Sequence, residues 1–228
     1  MSLLYEVRAE AFKRPWLAAP IVIGSCLQLL LGGFSAATGV LLIAKTLLGA
    51  AATVAVTAVF IELWRGDGRR VETGGLLRTT VLLLMSYPLL LLFGVVSTSL
   101  TYALLHADGP PLVFLYLMIC AGKLVAFAAT ALSVLAVARR EESAAALQAF
   151  GRGWRLMMGN AGFLAGVLIA TYLIQEAAVY GVSLAYYSLG TQSGVAIRLL
   201  TGILATTIPL IGCVAVPLQA LKTGRLKP

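Results

Sequence analysis

The chain has 228 residues, 60% of them hydrophobic and only 11% charged, with a mean hydropathy of +0.96. Ordinary soluble domains carry roughly 25% charged residues, so the composition excludes a water-soluble globular fold and predicts an integral membrane protein. The net charge of +8 does not call for nucleic acid. The basic residues stand beside long apolar runs, where anionic lipid head groups are the simpler partner.

In residues 1–16, Leu3, Leu4, Val7, Ala11 and Phe12 recur at helical spacing with Glu6, Arg8, Glu10, Lys13 and Arg14 largely on other sides. This pattern predicts a helix lying in the membrane interface that leads into a first span from Leu17 to Gly33. A cleaved signal peptide fits less well, because the positive residues lie too far from the start and the apolar run is long. Gly32 to Gly39 reads as an external turn and Val40 to Trp64 as the second span, with Lys45 near its start and Glu62 near its end. Arg65 to Arg78, basic and broken by Gly68, Gly74 and Gly75, resembles a worn lead-in segment. The third span, Thr79 to about Leu105, carries Pro88, which should kink it. His106 to Pro111 forms the second external turn. Leu112 to Ala138 is the fourth span, holding Lys123 and a small-residue packing face at Ala126 and Thr130.

Arg139 to Lys222 is the clearest copy of the same unit. Its lead-in, Arg139 to Met158, places Leu147, Phe150, Trp154 and Met157 three and four residues apart. Glu141 and Glu142 open this segment and Arg152 and Arg155 close it, as the helix dipole favours. The fifth span runs from about Gly159 to Tyr186 with a Gly162/Gly166 GxxxG pair, a signal for helix contact in lipid, and with Gln175 and Glu176. After a neutral loop, Ser188 to Ser193, the sixth span covers Gly194 to Leu221, with Arg198 near its start and Pro209 and Pro217 inside. The predicted fold is an all-α polytopic membrane bundle, one domain over 1–228. It has six transmembrane helices as three hairpins (about 1–64, 65–138 and 139–222), each preceded by a cytoplasmic interfacial amphipathic segment.

The distribution of charge orients this bundle. Apart from Lys45, Lys123 and Arg198, every Lys and Arg falls in the segments assigned to the cytoplasm and none in the external loops. By the positive-inside rule both termini are then cytoplasmic, in a bacterial-type cytoplasmic membrane. Trp16, Trp64 and Trp154, with Arg152 and Arg155, read as anchors at the inner interface.

Each returning helix carries one of the three remaining basic residues. Lys45 lies 20 residues from Arg65, Lys123 lies 16 from Arg139 and Arg198 lies 24 from Lys222, so all fall in the outer half of the membrane, at a level Glu176 also reaches. Charge at such depth is costly unless paired or wetted. Lys45 and Arg198 can snorkel to the outer head groups. Lys123 and Glu176 can form a structural ion pair that fixes helix register. Alternatively, Lys45, Lys123, Glu176 and Arg198 together line a polar pocket for an anionic head group or solute.

Cys26, Cys120 and Cys213 lie in apolar runs without paired spacing, and His106 is the one histidine, so neither a disulfide framework nor a metal site is expected. No cofactor is expected. Paired membrane carboxylates, a nucleophile with its base and a phosphate-binding loop are all missing from the sequence pattern, which argues against an enzyme.

The stretch Ala146 to Asn160, ALQAFGRGWRLMMGN, reads A-x-x-x-x-W-R-x-x-x-x-N before an apolar run. With the hairpin organisation, it resembles bacterial six-span proteins that include the membrane domain attached to some glycerophosphodiester phosphodiesterases and the YciC-type inner-membrane proteins. The resemblance implies a fold, a location and a theme of lipid association, and it carries over no catalytic residue. The expected function is a non-enzymatic, lipid-associated accessory or scaffold subunit, with transport of a lipid or small anionic solute as the alternative. The expected partners are membrane lipids, chiefly anionic head groups on the cytoplasmic side, and a second copy or another membrane protein.

Overall fold

A computed structural model describes residues 2–33, 39–66, 73–85, 112–138, 146–189 and 194–226. These residues are all-helical, with no strand among them. In chain order they form α1 (Leu3–Phe12), a 3-10 turn (Pro15–Leu17), α2 (Ala18–Gly33), α3 (Gly39–Arg65) and the described part of α4 (Thr73–Met85). Next come α5 (Leu112–Ala138), α6 (Ala146–Gly159), α7 (Ala161–Leu189), α8 (Gly194–Pro209), a π-helical segment (Leu210–Ala215) and α9 (Val216–Lys222). Four stretches are long and apolar enough to cross a membrane: Leu47–Arg65, Cys120–Ala138, Ala161–Ala185 and Ala196–Lys222. They correspond to the expected second, fourth, fifth and sixth spans. At the first and third, the described residues give the shorter apolar helices Pro15–Leu27 and Thr73–Met85. Pro88 and the external turn at His106 lie outside the described residues, as do Glu141 and Glu142.

The molecule is assembled around the rod formed by α8, the π segment and α9. Two prolines shape it. Pro209 has no amide proton, and neither does Pro217, so the Cys213 carbonyl four residues earlier loses its α-helical donor. Between them the ladder shifts to a wider repeat, with the Val216 N–H donating to the Ile211 carbonyl. Residues 212–220 are buried without interruption. Gly212 lets this rod touch α7: a Cβ there would collide with the Thr171 side chain. A second close approach joins α8 to α2, where a Cβ on Gly24 would sit 2.9 Å from the Thr206 methyl and one on Gly202 would sit 3.2 Å from the Ser25 carbonyl.

The apolar core lies toward one end of this bundle, here called the basal end, where the two terminal segments meet. Phe60, Ile61, Val134, Val137, Val214 and Ala215 are almost completely buried there in one cluster. On the α5 side of that end α6 is folded back, with Ala149, Gly153 and Leu156 against the bundle; a Cβ on Gly153 would lie 2.7 Å from the Ala136 backbone nitrogen.

The positions of three expected features need correction. The Gly162/Gly166 pair makes no close approach among the described residues, since a Cβ at either residue would meet none of them within 4 Å. Gly24, Gly153, Gly202 and Gly212 make the close contacts instead, because they face neighbouring backbone or side chains. Trp64 is not an exposed interfacial anchor but a core residue, 6% exposed and stacked on Phe60 at 5.9 Å between ring centroids. The ends of the basic stretch from Arg65 to Arg78 belong to its neighbours, since α3 runs through Arg65 and α4 is already helical at Thr73; residues 67–72 lie outside the described ones.

Candidate functional site

Of the four charges proposed to share a pocket, the structure brings Lys123 and Glu176 into contact. Lys123 Nζ on α5 donates to Glu176 Oε1 on α7 at 2.5 Å, with both side chains part-buried. On the same seam the Tyr172 hydroxyl donates to Cys120 Sγ at 2.7 Å, so two polar pairs join α5 to α7. Cys120 and Lys123 are three apart on one helix, Tyr172 and Glu176 four apart on the other, so each set shares a face; because the helices run antiparallel, the two pairs cross. Below them Leu168 packs with Ala131 and Cys213, returning the seam to an apolar core. Lys45 is partly buried on α3 and Arg198 is exposed on α8, each near the start of its helix. A closed carboxylate–ammonium pair cancels its own net charge and satisfies part of its own hydrogen bonding, which is how a membrane interior tolerates ionised groups.

The basal end carries a second polar constellation that the linear pattern hid. Arg14, 8% exposed, donates from Nη1 to the Leu63 carbonyl at 3.2 Å, the Gly66 carbonyl at 2.8 Å and also the Trp64 carbonyl. These are among the last carbonyls of α3, which lack helical donors, and a guanidinium fork is well shaped to reach several of them. Nη2 of the same residue donates to Glu10 Oε1 at 2.7 Å. Arg65 repeats the device at 3.3 Å on the Val137 carbonyl, at the end of α5. Beyond α9 the chain turns through Gly224 at φ +67, the left-handed region that glycine enters without strain. This turn brings Arg225 to 2.6 Å from Glu6 on α1. The Thr79 hydroxyl donates to Glu62, joining α4 to α3. Arg14, Arg65 and Arg225, assigned from the sequence to cytoplasmic segments facing anionic head groups, therefore also make contacts within the protein. Pro15, which ends α1 and turns the chain beside Arg14, was the one local signal for the first of them.

Of the other expected anchors, Trp154 and Arg155 on α6 lie outward. The helix turns Ala149, Gly153 and Leu156 inward and exposes Leu147, Trp154 and Met158 on the opposite side, with Arg155 exposed beside them. Phe150 and Met157, expected on the same apolar stripe, are partly buried, and Met157 packs against the core. Arg152 is part-buried. Trp16, also part-buried, packs against the main core. Asn160 ends α6: its Nδ2 donates to the Leu156 carbonyl at 2.8 Å, and its own carbonyl accepts from the Leu164 N–H at 3.0 Å at the start of α7. Among the described residues no cluster of His, Cys, Asp and Glu is arranged to hold a metal ion. No family model, curated protein or solved structure matches the chain.

Proposed function

We propose that this chain is a non-enzymatic, lipid-associated accessory or scaffold protein of a bacterial-type cytoplasmic membrane. In this reading it has six spans in three hairpins, with both termini cytoplasmic and the basal end facing the cytoplasm. The observation that carries it is the two-sided α6. Its small-residue face is fixed to the bundle, while Leu147, Trp154 and Met158 point away beside Arg155. Bulky apolar groups directed outward next to arginine suit a helix seated at the head-group boundary of an anionic leaflet. α1 supports the same reading, since Leu4, Tyr5 and Phe12 are exposed and Arg8 lies 5.4 Å from the centre of the Phe12 ring. The resemblance at Ala146 to Asn160 belongs to this proposal as well.

Native mass spectrometry of protein gently extracted from its own membrane tests it. Stoichiometric anionic phospholipid or a second polypeptide should leave with the wild-type chain, and Arg152→Gln/Arg155→Gln should reduce the lipid. A chain that emerges bare, in wild type and variant alike, would refute the reading.

A second reading, transport of a lipid or small anionic solute, is favoured by the π segment between two prolines in the most buried rod, because broken helices supply the moving parts of many transporters. A small anion retained by the wild type and lost in Lys123→Ala would raise it above the first.

A further inference from the structure

The sequence gives α1 two acidic residues, Glu6 and Glu10, four apart and so on one face of the helix. Across from them stand Lys222, the last residue of α9, and Arg225, three residues on. α1 packs against α9, and the charges meet as two rungs: Arg225 Nη2 to Glu6 Oε1 at 2.6 Å and Lys222 Nζ to Glu10 Oε1 at 3.9 Å. The turn between the two basic residues is fixed by the backbone. The Gly224 N–H donates to the Leu221 carbonyl at 3.1 Å and the Arg225 N–H to the Ala220 carbonyl at 2.9 Å, the bonds of a Schellman helix end. This end returns Leu226, 3% exposed, to a cluster with Leu135 of α5, Leu156 of α6 and Leu164 of α7, against which Leu3 of α1 also packs. Apolar contacts thus hold α1 against α9, and the loose 3.9 Å rung adds little to them.

At Glu10 the charges do not balance. Its carboxylate is approached by Arg14 at 2.7 Å, by Lys13 at 3.9 Å and by Lys222 at 3.9 Å. Buried Arg14 takes the short bond and with it the one negative charge. Lys13 stands near Oε2 and Lys222 near Oε1 of this carboxylate, their side chains 74% and 66% exposed, and among the described residues neither meets a second acid. Two exposed ammonium groups over a carboxylate that is already neutralised make a place of net positive charge. Beside it α1 exposes Leu4, Tyr5 and Phe12, and Phe12 directly precedes Lys13. An anion carried on hydrocarbon chains meets both features, whereas a free anion meets only the first.

We propose that Lys13 and Lys222 form a binding site for the phosphate of an anionic phospholipid head group, with the acyl chains along the exposed apolar side chains of α1. This inference rests on the lipid-associated reading above and adds to it a particular site, on α1 and α9, separate from the α6 surface. Arg14 stays on Glu10 and Arg225 on Glu6 when the lipid binds, so the basal end does not have to open.

The test is native mass spectrometry of the full chain in detergent, titrated with phosphatidylglycerol or with zwitterionic phosphatidylcholine. Wild type is compared with Lys13→Gln/Lys222→Gln and Lys13→Arg/Lys222→Arg. Phosphatidylglycerol should bind about tenfold more weakly to the Gln variant and regain its affinity in the Arg variant, with phosphatidylcholine equal in all three. Both lysines are exposed, so the three chains should unfold at the same temperature. Millimolar inorganic phosphate should leave the lipid in place; displacement by it would assign the site to a free anion and overturn the lipid assignment. Equal phosphatidylglycerol affinity in wild type and Gln variant, or an equal loss for both lipids, would overturn the site. If Arg152→Gln/Arg155→Gln weakens phosphatidylglycerol in that same series, the α6 reading stands without it. A wild type that binds neither lipid would overturn both.

Discussion

The basal core and the α7 side of the bundle use the same kinds of residue for different work. At the basal end, Gly153 lies against the backbone of α5 and Arg14 spreads over the last carbonyls of α3. On α7, no described residue lies within 4 Å of a Cβ placed on Gly162 or Gly166, and on the α5–α7 seam Lys123 answers a single carboxylate. The difference is what stands opposite. Glycine contributes to packing only where another chain segment occupies the space of its missing Cβ, and a guanidinium becomes structural only where helix ends leave carbonyls unmet.

This contrast can be broken by substitution, beginning where the loss should be greatest. Gly212→Val puts a branched side chain into the space of Thr171 and should cost about 3 kcal/mol or more, read as loss of folded protein in thermal unfolding. Next, Arg14→Met leaves three carbonyls without their side-chain donor and takes from Glu10 the nearest of its three cations, Lys13 and Lys222 remaining at 3.9 Å, a loss of about 3 kcal/mol. Arg14→Lys, with one compact head in place of a fork, should recover only part of that stability. If Arg14→Met unfolds like wild type, the basal end is not held in the way described.

A smaller effect, about 2 kcal/mol, is expected for Lys123→Met, which strands Glu176 in the membrane. Lys123→Met/Glu176→Leu should regain most of it, because removing both charges leaves nothing to satisfy. A double variant no better than the single would show that the pair serves more than its own neutralisation. Least of all, Gly166→Leu should change the stability of the isolated chain by no more than about 0.5 kcal/mol, since no described residue lies within 4 Å of a Cβ there. A marked change would place a neighbour against α7.

Much of the candidate site was legible before any coordinates. Lys123 and Glu176 could be expected at one depth because distance along an apolar helix converts directly into depth, and an ion pair was one of their two readings. The same counting put Lys45 and Arg198 in the outer half. It could not say which helices are neighbours, and α5 turns out to adjoin α7 at the level of Lys123. The basal arginines were matched to lipid head groups for a similar reason. A positive charge beside an apolar run looks the same in sequence whether it meets a phosphate or a helix end forty-nine residues away, as Arg14 meets Leu63.

The sequence by itself determined that the chain is helical and apolar enough for a membrane, because hydropathy over a span-length window depends only on local composition. It also marked where the rod would deviate, since a proline removes its donor whatever surrounds it. Only the tertiary structure decided which glycines pack and which arginines cap. Those roles depend on what the neighbouring helix presents at the same level, and that is a property of packing between segments far apart in the chain.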